Sequence, residues 1–456
     1  MLYTIRVALT VALGGFLMGF DASVISGVVT FIEPEFSLSK IELGWSVASL
    51  TLTATLAMMV SGPLSDRLGR RPVLKIAAVL FAISALASAV APSFVVLVAA
   101  RMLGGLGVGA ALIIAPMYIA EIAPAAMRGR MVSFNQLNIV IGISAAFFTN
   151  YLILRFGKSD FAWAEALRLG EWNWRWMLGV EALPAVFYFV ALFAVPESPR
   201  WLVMNGRDED ARRVLGKVTD SVQAERDIQA VKASLHAEQS TERATLRELF
   251  RPAMRLVLVI GVSVAVLQQV TGINSVFFYA PMIFEQSGIG TDAAFMQAVL
   301  VGLVNLVFTV LAIVFVDRVG RRPLLGFGLA GIALCMLLLS YGFSAEEMNP
   351  KIILVGILGF VASFAISLGP VMWVLFSELF PNRVRGLAIS FVGLINSAVS
   401  FLVQLVFPWE LENLGNSVTF LIYGLFAIFG LVFVMRILPE TKGKSLEELE
   451  SELVRH

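Results

Sequence analysis

The chain has 456 residues, of which 58% are hydrophobic and 15% charged, and its mean hydropathy is +0.84. Ordinary soluble domains are about 25% charged, so a water-soluble monomer is excluded. Lys and Arg number 34 against 33 Asp and Glu, which removes the basic footprint of a nucleic-acid-binding protein.

The first apolar run, about Ile5 to Phe31, is too long for the h-region of a removable signal peptide and carries no cleavage pattern, so it reads as a first spanning helix. Five further runs of spanning length follow near residues 43 to 65, 73 to 92, 94 to 120, 130 to 154 and 175 to 195. A charged gap, Asn205 to Arg251, comes next. Its apolar residues Val214, Leu215, Val222, Ile228, Val231 and Leu235 recur at helical spacing, which predicts short amphipathic helices in water. Six more runs lie near 254 to 284, 294 to 316, 323 to 343, 352 to 378, 386 to 408 and 417 to 437. The expected fold is therefore an all-α integral membrane protein with twelve transmembrane helices.

Cytoplasmic loops carry the excess of Lys and Arg. With both termini inside, 27 of the 34 cationic residues fall on the cytoplasmic side, six fall outside, and Arg101 lies within the fourth segment. His236 in the charged gap and His456 at the end are the two histidines, and Cys335 is the one cysteine. No metal site, His-based triad or disulfide can be built from these, so an enzyme and a resident cofactor are not expected.

An internal repeat organises the chain. Asp66-Arg-Leu-Gly-Arg70-Arg71-Pro recurs as Asp317-Arg-Val-Gly-Arg321-Arg322-Pro, 251 residues later. Glu121-Ile-Ala-Pro with Arg128-Gly129 recurs as Glu378-Leu-Phe-Pro with Arg385-Gly386, and Pro196-Glu197-Ser is echoed by Pro439-Glu440-Thr, at offsets of 257 and 243. Three motifs in one order imply two parallel six-helix halves: residues 1–200 and 253–440, joined by a cytoplasmic linker at 201–252 and followed by a tail at 441–456. Two such halves facing each other would enclose a cavity near the midplane and open it to either side by rocking.

These residues, with Gly19-Phe-Asp21, Pro196-Glu-Ser-Pro-Arg200-Trp-Leu202, Gln268-Gln269-Val-Thr-Gly-Ile-Asn274 and Pro439-Glu-Thr-Lys-Gly443, resemble the sugar porter family of the major facilitator superfamily along the chain to about Ser445. The resemblance implies transport of a monosaccharide or polyol. A sugar hydroxyl both donates and accepts hydrogen bonds, and amides supply both functions. In segment 7, Gln268, Gln269 and Asn274 provide three amides. On a continuous helix Gln269 and Asn274 would point roughly 140° apart, so they converge only if the helix breaks, and Gly272 between them is the expected break. By resemblance, Gln136, Asn305 and Asn396 are further sugar contacts, and Trp373 is an aromatic platform for the sugar ring. Each amide could equally be a helix-to-helix hydrogen bond.

Asp21 is an acid within a spanning helix, which is expensive unless it is paired or neutral. Arg101 is the one comparably buried cation, so the two should pair. If the pair breaks on protonation of Asp21, proton uptake is linked to conformation. Proton-coupled members of the family resemble this chain at Asp21, which implies symport with the proton as coupling ion; a permanent salt bridge between helices is the other reading. Glu181 in segment 6 is another buried acid. Asp66, Arg70, Arg71, Glu121, Arg128, Glu197 and Arg200 in one half, with Asp317, Arg321, Arg322, Glu378, Arg385 and Glu440 in the other, resemble the family's cytoplasmic gate. Topology signalling with surface ion pairs is the alternative. Gly104-Gly-Leu-Gly107-Val-Gly109 has no preceding strand and is expected to serve close helix packing.

Where several facilitators of the family carry Glu and Trp, this chain has Ala365 and Ser397, so the identity of the sugar stays open. No Arg or Lys cluster points to an anionic substrate. The chain is thus read as a bacterial inner-membrane carrier, functional as a monomer among membrane lipids, that imports a neutral pentose or hexose with a proton. An uncoupled facilitator and a transporter-like sugar receptor remain as alternatives.

Overall fold

Hydrocarbon offers no partner to a backbone N–H or C=O, so each spanning segment satisfies its own backbone by forming helix. A computed structural model describes residues 2–124, 127–240, 245–345, 348–381, 383–442 and 448–449, excepting the side chains of 2, 129, 236–240 and 317. The side chains of His236 and Asp317, and His456 with most of the tail, thus lie outside the described residues.

In chain order the first helices are α1 (Leu2–Val24), α2 (Val29–Glu35), α3 (Lys40–Leu68), α4 (Arg70–Ala89), α5 (Phe94–Ile122), α6 (Arg128–Gly157), α7 (Ala162–Ala166), α8 (Asn173–Gly179) and α9 (Ala182–Ala191). The charged gap forms α10 (Pro199–Met204), α11 (Asp208–Leu215), α12 (Ser221–Ser240) and α13 (Leu246–Leu249). Then come α14 (Arg255–Val270), α15 (Ile273–Glu285), α16 (Thr291–Val319), α17 (Arg321–Ser344), α18 (Pro350–Ile366), α19 (Leu368–Leu379), α20 (Arg385–Asn413) and α21 (Asn416–Ile437).

Among the described residues, eleven helical stretches are long and apolar enough to cross a membrane. The sixth segment expected from the sequence is helical too, but it is split into α8 and α9. Pro184 explains the split: it has no N–H and its ring crowds the carbonyl four residues back, on Val180. That carbonyl instead accepts from Leu183 N at 3.1 Å, one residue short of a regular turn. Two other spans are interrupted. Gly272 adopts φ +89°, ψ 17° between α14 and α15, a left-handed conformation open to glycine. Ser367, three residues before Pro370, leaves helical geometry between α18 and α19.

Two compact units are formed. One comprises residues 1–25, 49–149 and 156–243; the other comprises 26–48, 150–155 and 244–456. The core of the first includes Phe81, Ile114, Tyr118 and Tyr188. The linker helices α10 to α12 belong to this unit and bury Leu202, Val203, Ala211, Leu215, Ala224 and Ile228 in a core of their own. Val214, Val231 and Leu235 pack on that core as their spacing predicts, whereas Val222 faces outward.

The glycines of α5 act at helix contacts. A Cβ on Gly105 would sit 2.1 Å from Thr53 Oγ1 and 2.4 Å from the Leu50 carbonyl of α3; one on Gly109 would sit 2.2 Å from the Ala54 carbonyl. Small residues let backbones approach this closely. Gly105→Val should therefore wedge α3 from α5 and destabilise by about 1–3 kcal/mol, seen as a lowered melting temperature in detergent. Gly62→Ala is the control, since among the described residues nothing lies within 4 Å of that position; it should leave the melting temperature unchanged or slightly raised.

Candidate functional site

In the second unit the break at Gly272 lets Asn274 of α15 turn back towards α14. Asn274 Nδ2 donates to Gln269 Oε1 and to Ser400 Oγ, each at 2.7 Å. Gln269 Nε2 donates to Gln268 Oε1 at 3.0 Å and to Asn396 Oδ1 at 3.2 Å. Asn396 Nδ2 donates to Gln268 Oε1 at 2.9 Å and to the Ala265 carbonyl at 3.0 Å, and Gln404 Nε2 to Ser400 Oγ at 2.8 Å. Gln268 Nε2 reaches the Leu368 carbonyl at 3.2 Å, beside the second interruption. Five amides from α14, α15 and α20, the last joined through Ser400, thus form one network without a formal charge. Such groups can exchange mutual hydrogen bonds for bonds to a polyhydroxylated ligand.

In the first unit, Arg101 Nη1 of α5 donates to Asp21 Oδ1 of α1 at 2.9 Å, and both side chains are almost wholly buried. Asp21 Oδ2 and Arg101 Nε are buried without a hydrogen-bond partner among the described residues, as is Glu181 Oε1. Glu181, at the start of α9, lies within electrostatic reach of both Asp21 and Arg101. Gly104 keeps the spot open, for a Cβ there would lie 2.6 Å from both Asp21 Oδ2 and Ser84 Oγ.

A third arrangement occurs twice. Arg70 donates from Nη2 and Nε to Glu121 at 2.9 and 3.0 Å, and Ser198 Oγ donates to the same carboxylate. Glu197 accepts from the backbone N–H of Arg70 and Arg71 at the start of α4, at 3.0 and 3.2 Å. In the second unit, Arg321 donates to Glu378 at 2.7 and 3.1 Å, Thr441 Oγ1 donates to Glu378 at 2.7 Å, and Glu440 accepts from Arg321 N and Arg322 N, each at 3.1 Å. Gly69 and Gly320, with φ near +104° and +102°, let the two carboxylates approach these helix starts. A negative charge is favoured there. Burial pushes the Glu197 carboxyl above the usual carboxylate range, opposed by the N–H groups of Ser198, Arg71 and Arg70 and by the Arg70 charge.

The family model described as "Sugar (and other) transporter" matches residues 7–453. The chain belongs to this family. It is 38% identical to the arabinose-proton symporter of Bacillus subtilis (strain 168) over 448 residues, covering 98% of this chain and 94% of that one. It is 39% identical to the D-xylose-proton symporter of Escherichia coli (strain K12) over 485 residues, covering 98% and 95%. The inward open structure of the E. coli xylose transporter XylE superposes with a TM-score of 0.85 at 37% identity, covering 99% of this chain and 100% of that one. The fold is the all-α major facilitator fold.

In this transporter the sequence-predicted residues divide into those brought together and those placed singly. Gln268, Gln269, Asn274 and Asn396 share one network. Asn305 is buried on α16 and, among the described residues, forms no hydrogen bond to it. Gln136 is exposed on α6. Trp373 is half-exposed on α19, edge-on to Phe376. Of the repeated charges, Arg70, Glu121 and Glu197 close on one another within the first unit and Arg321, Glu378 and Glu440 within the second, each with its own hydroxyl partner. Asp66 pairs with Arg70 at 2.8 Å. Arg71 donates to the Leu192 and Phe193 carbonyls, and Arg322 to the Met435 carbonyl. Arg128 is exposed, Arg200 half-buried, and Arg385 donates to the Phe380 carbonyl.

Sequence reasoning missed Ser400 and Gln404, although Asn396, Ser400 and Gln404 follow at intervals of four and so share a face of α20. It also missed Ser198 and Thr441, the hydroxyl that follows Glu in both copies of the motif.

Truncating Arg70 would leave the largely buried Glu121 short of its cation. Arg70→Ala is therefore expected to destabilise by about 3 kcal/mol, since breaking one side of a buried pair costs about 3–5 kcal/mol. Adding Glu121→Ala should recover part of that loss in thermal unfolding. Equal melting temperatures for Arg70→Ala and the parent would contradict the pairing.

Proposed function

We propose that this transporter is a secondary active carrier that imports a neutral monosaccharide, pentose or hexose, together with a proton by alternating access. The observation that carries the reading is the uncharged amide network at the helix break: it matches the hydrogen-bonding character of a sugar and suits neither an anion nor a cation. The named relatives, symporters for arabinose and for D-xylose, support the substrate class. Gln268, Gln269, Asn274 and Asn396 are the proposed sugar ligands, with Gln136, Asn305 and Trp373 as further contacts on their own helices.

The coupling ion is the proton, and no other cofactor is proposed. Asp21 is its acceptor and Arg101 the partner released when Asp21 becomes neutral. A buried pair stripped of one charge loses several kcal/mol, enough to bias an equilibrium between two states. Glu181, which is within electrostatic reach of Arg101, is the proposed acceptor of the released guanidinium. The repeated clasps serve as the cytoplasmic gate, with Arg128, Arg200, Asp317 and Arg385 beside them. The proposed setting is the bacterial inner membrane, both termini cytoplasmic, with the monomer as working unit. Residues 1–200 and 253–440 are the moving halves, 201–252 the linker and 441–456 the tail.

Liposomes loaded with purified protein and given labelled sugars under an imposed pH gradient test the reading directly. Wild type should accumulate a sugar; Asp21→Asn should bring the accumulation ratio down to one while counterflow persists. Unchanged uphill uptake in Asp21→Asn would make the Asp21–Arg101 pair a fixed strut. Glu121→Gln and Glu378→Gln should each shift cysteine labelling towards the inward-open state, and an unshifted pattern would remove the gate role.

A further inference from the structure

A helix broken at membrane depth has to be held at one angle, or the groups on either side of the break will not meet. Here the brace comes from α21. Tyr423 lies against the break so closely that a Cβ on Gly272 would be 2.4 and 2.6 Å from its ring carbons Cδ2 and Cε2. Its hydroxyl donates to Glu410 Oε2 of α20 at 2.7 Å, and Ser275 Oγ of α15 is 3.5 Å away. Phe407 stacks on the Tyr423 ring at 6.3 Å and packs on Tyr279 of α15 at 5.2 Å. Tyr279 donates in turn to the Gln404 carbonyl at 2.9 Å, and its own backbone departs from helical geometry (φ −125°, ψ 16°).

We propose that Glu410 and Tyr423 form a positioning latch that fixes the angle of α15 against α14, and thereby sets the distance between Asn274 and Gln269. The Tyr423 ring occupies the space that glycine leaves open, so its position decides how far α15 can swing. A phenol ring packed among other rings can still slide, and the bond to Glu410 removes that freedom by tying the hydroxyl to a third helix. Neither residue belongs to the amide network; both act through the backbone that carries it. The latch deepens the reading of that network as a sugar site and rests on it for its functional consequence, though not for its structural one.

Four variants separate the parts. Tyr423→Phe keeps the ring against Gly272 and deletes only the hydroxyl. Glu410→Ala deletes the acceptor, Glu410→Gln keeps an acceptor oxygen in place, and the fourth combines Tyr423→Phe with Glu410→Ala. Two measurements apply to purified full-length protein: equilibrium binding of labelled D-xylose, L-arabinose and D-glucose, and backbone hydrogen exchange without sugar. Tyr423→Phe and Glu410→Ala should each weaken binding about tenfold, with no further loss in the double variant, because coupled neighbours are non-additive. Glu410→Gln should bind like the parent. Exchange over residues 273–285 should rise in the first two variants and stay at the parental level in Glu410→Gln, with residues 255–270 unchanged throughout. A merely stabilising role would lower the melting temperature without this confined rise. Parental exchange over 273–285 in Tyr423→Phe, or losses that add in the double variant, would overturn the latch. If wild type binds none of the three sugars, the sugar reading falls, and the exchange comparison still decides the latch.

Discussion

A polar atom inside a bilayer has no water to fall back on, and this single constraint shapes the molecule. It makes the spanning segments helical, and it also dictates what happens where a helix is interrupted. At Gly272 the chain leaves the regular ladder, and amides stand close by on every side: Gln268 and Gln269 before the break, Asn274 after it and Asn396 on a neighbouring helix. Each finds its partners in the others. At Ser367 the same logic applies on a smaller scale, where Gln268 Nε2 reaches the adjoining Leu368 carbonyl. At the second interruption an amide answers a backbone carbonyl, and at the first the amides answer one another; these are also groups a sugar hydroxyl could replace.

How much of this was legible beforehand differs by residue. The break itself was, because two amides five positions apart diverge on a continuous helix and a glycine stands between them. The Asp21–Arg101 pair was legible for a similar reason, since an acid buried in a spanning helix needs a cation and the sequence offers one at comparable depth. Ser400 and Gln404 carried a signal in their spacing from Asn396, but hydroxyl and amide residues in an apolar run read as isolated until a partner helix is known. The split of the sixth segment was hidden by counting apolar residues, which registers hydropathy and passes over the missing N–H of Pro184.

The repeated charges teach a different lesson. Repetition at offsets of 251, 257 and 243 identifies equivalent positions, and the structure repeats even their hydrogen bonds: an arginine on a glutamate, a hydroxyl on the same glutamate, and a second glutamate on the N–H groups of a helix start. Sequence equivalence cannot say whether the glutamate of one copy binds the arginine of that copy or of the other. In the structure each pair closes within its own unit. An ion pair internal to one unit holds the ends of its own helices together, so the gate role proposed for each clasp would act through the helix ends it ties.

Against that symmetry at the helix ends, the interiors diverge. Carrying Asp21 forward by the first offset lands on Gly272, so where one half holds an acid the other holds a helix break. Carrying Arg101 forward by 251 to 257 lands in the apolar stretch 352–358, Ile-Ile-Leu-Val-Gly-Ile-Leu, with no charge at all. The first unit therefore pairs Asp21 with Arg101 where the second has a glycine and an apolar stretch, and the amide network belongs to the second unit. A charged pair is strongly biased by one proton and poorly suited to grip an uncharged ligand, whereas an amide network has the opposite aptitude. On the proposed reading, the repeat supplies matching helix ends, and the residues between them divide the work, the first unit taking the driving proton and the second the neutral cargo.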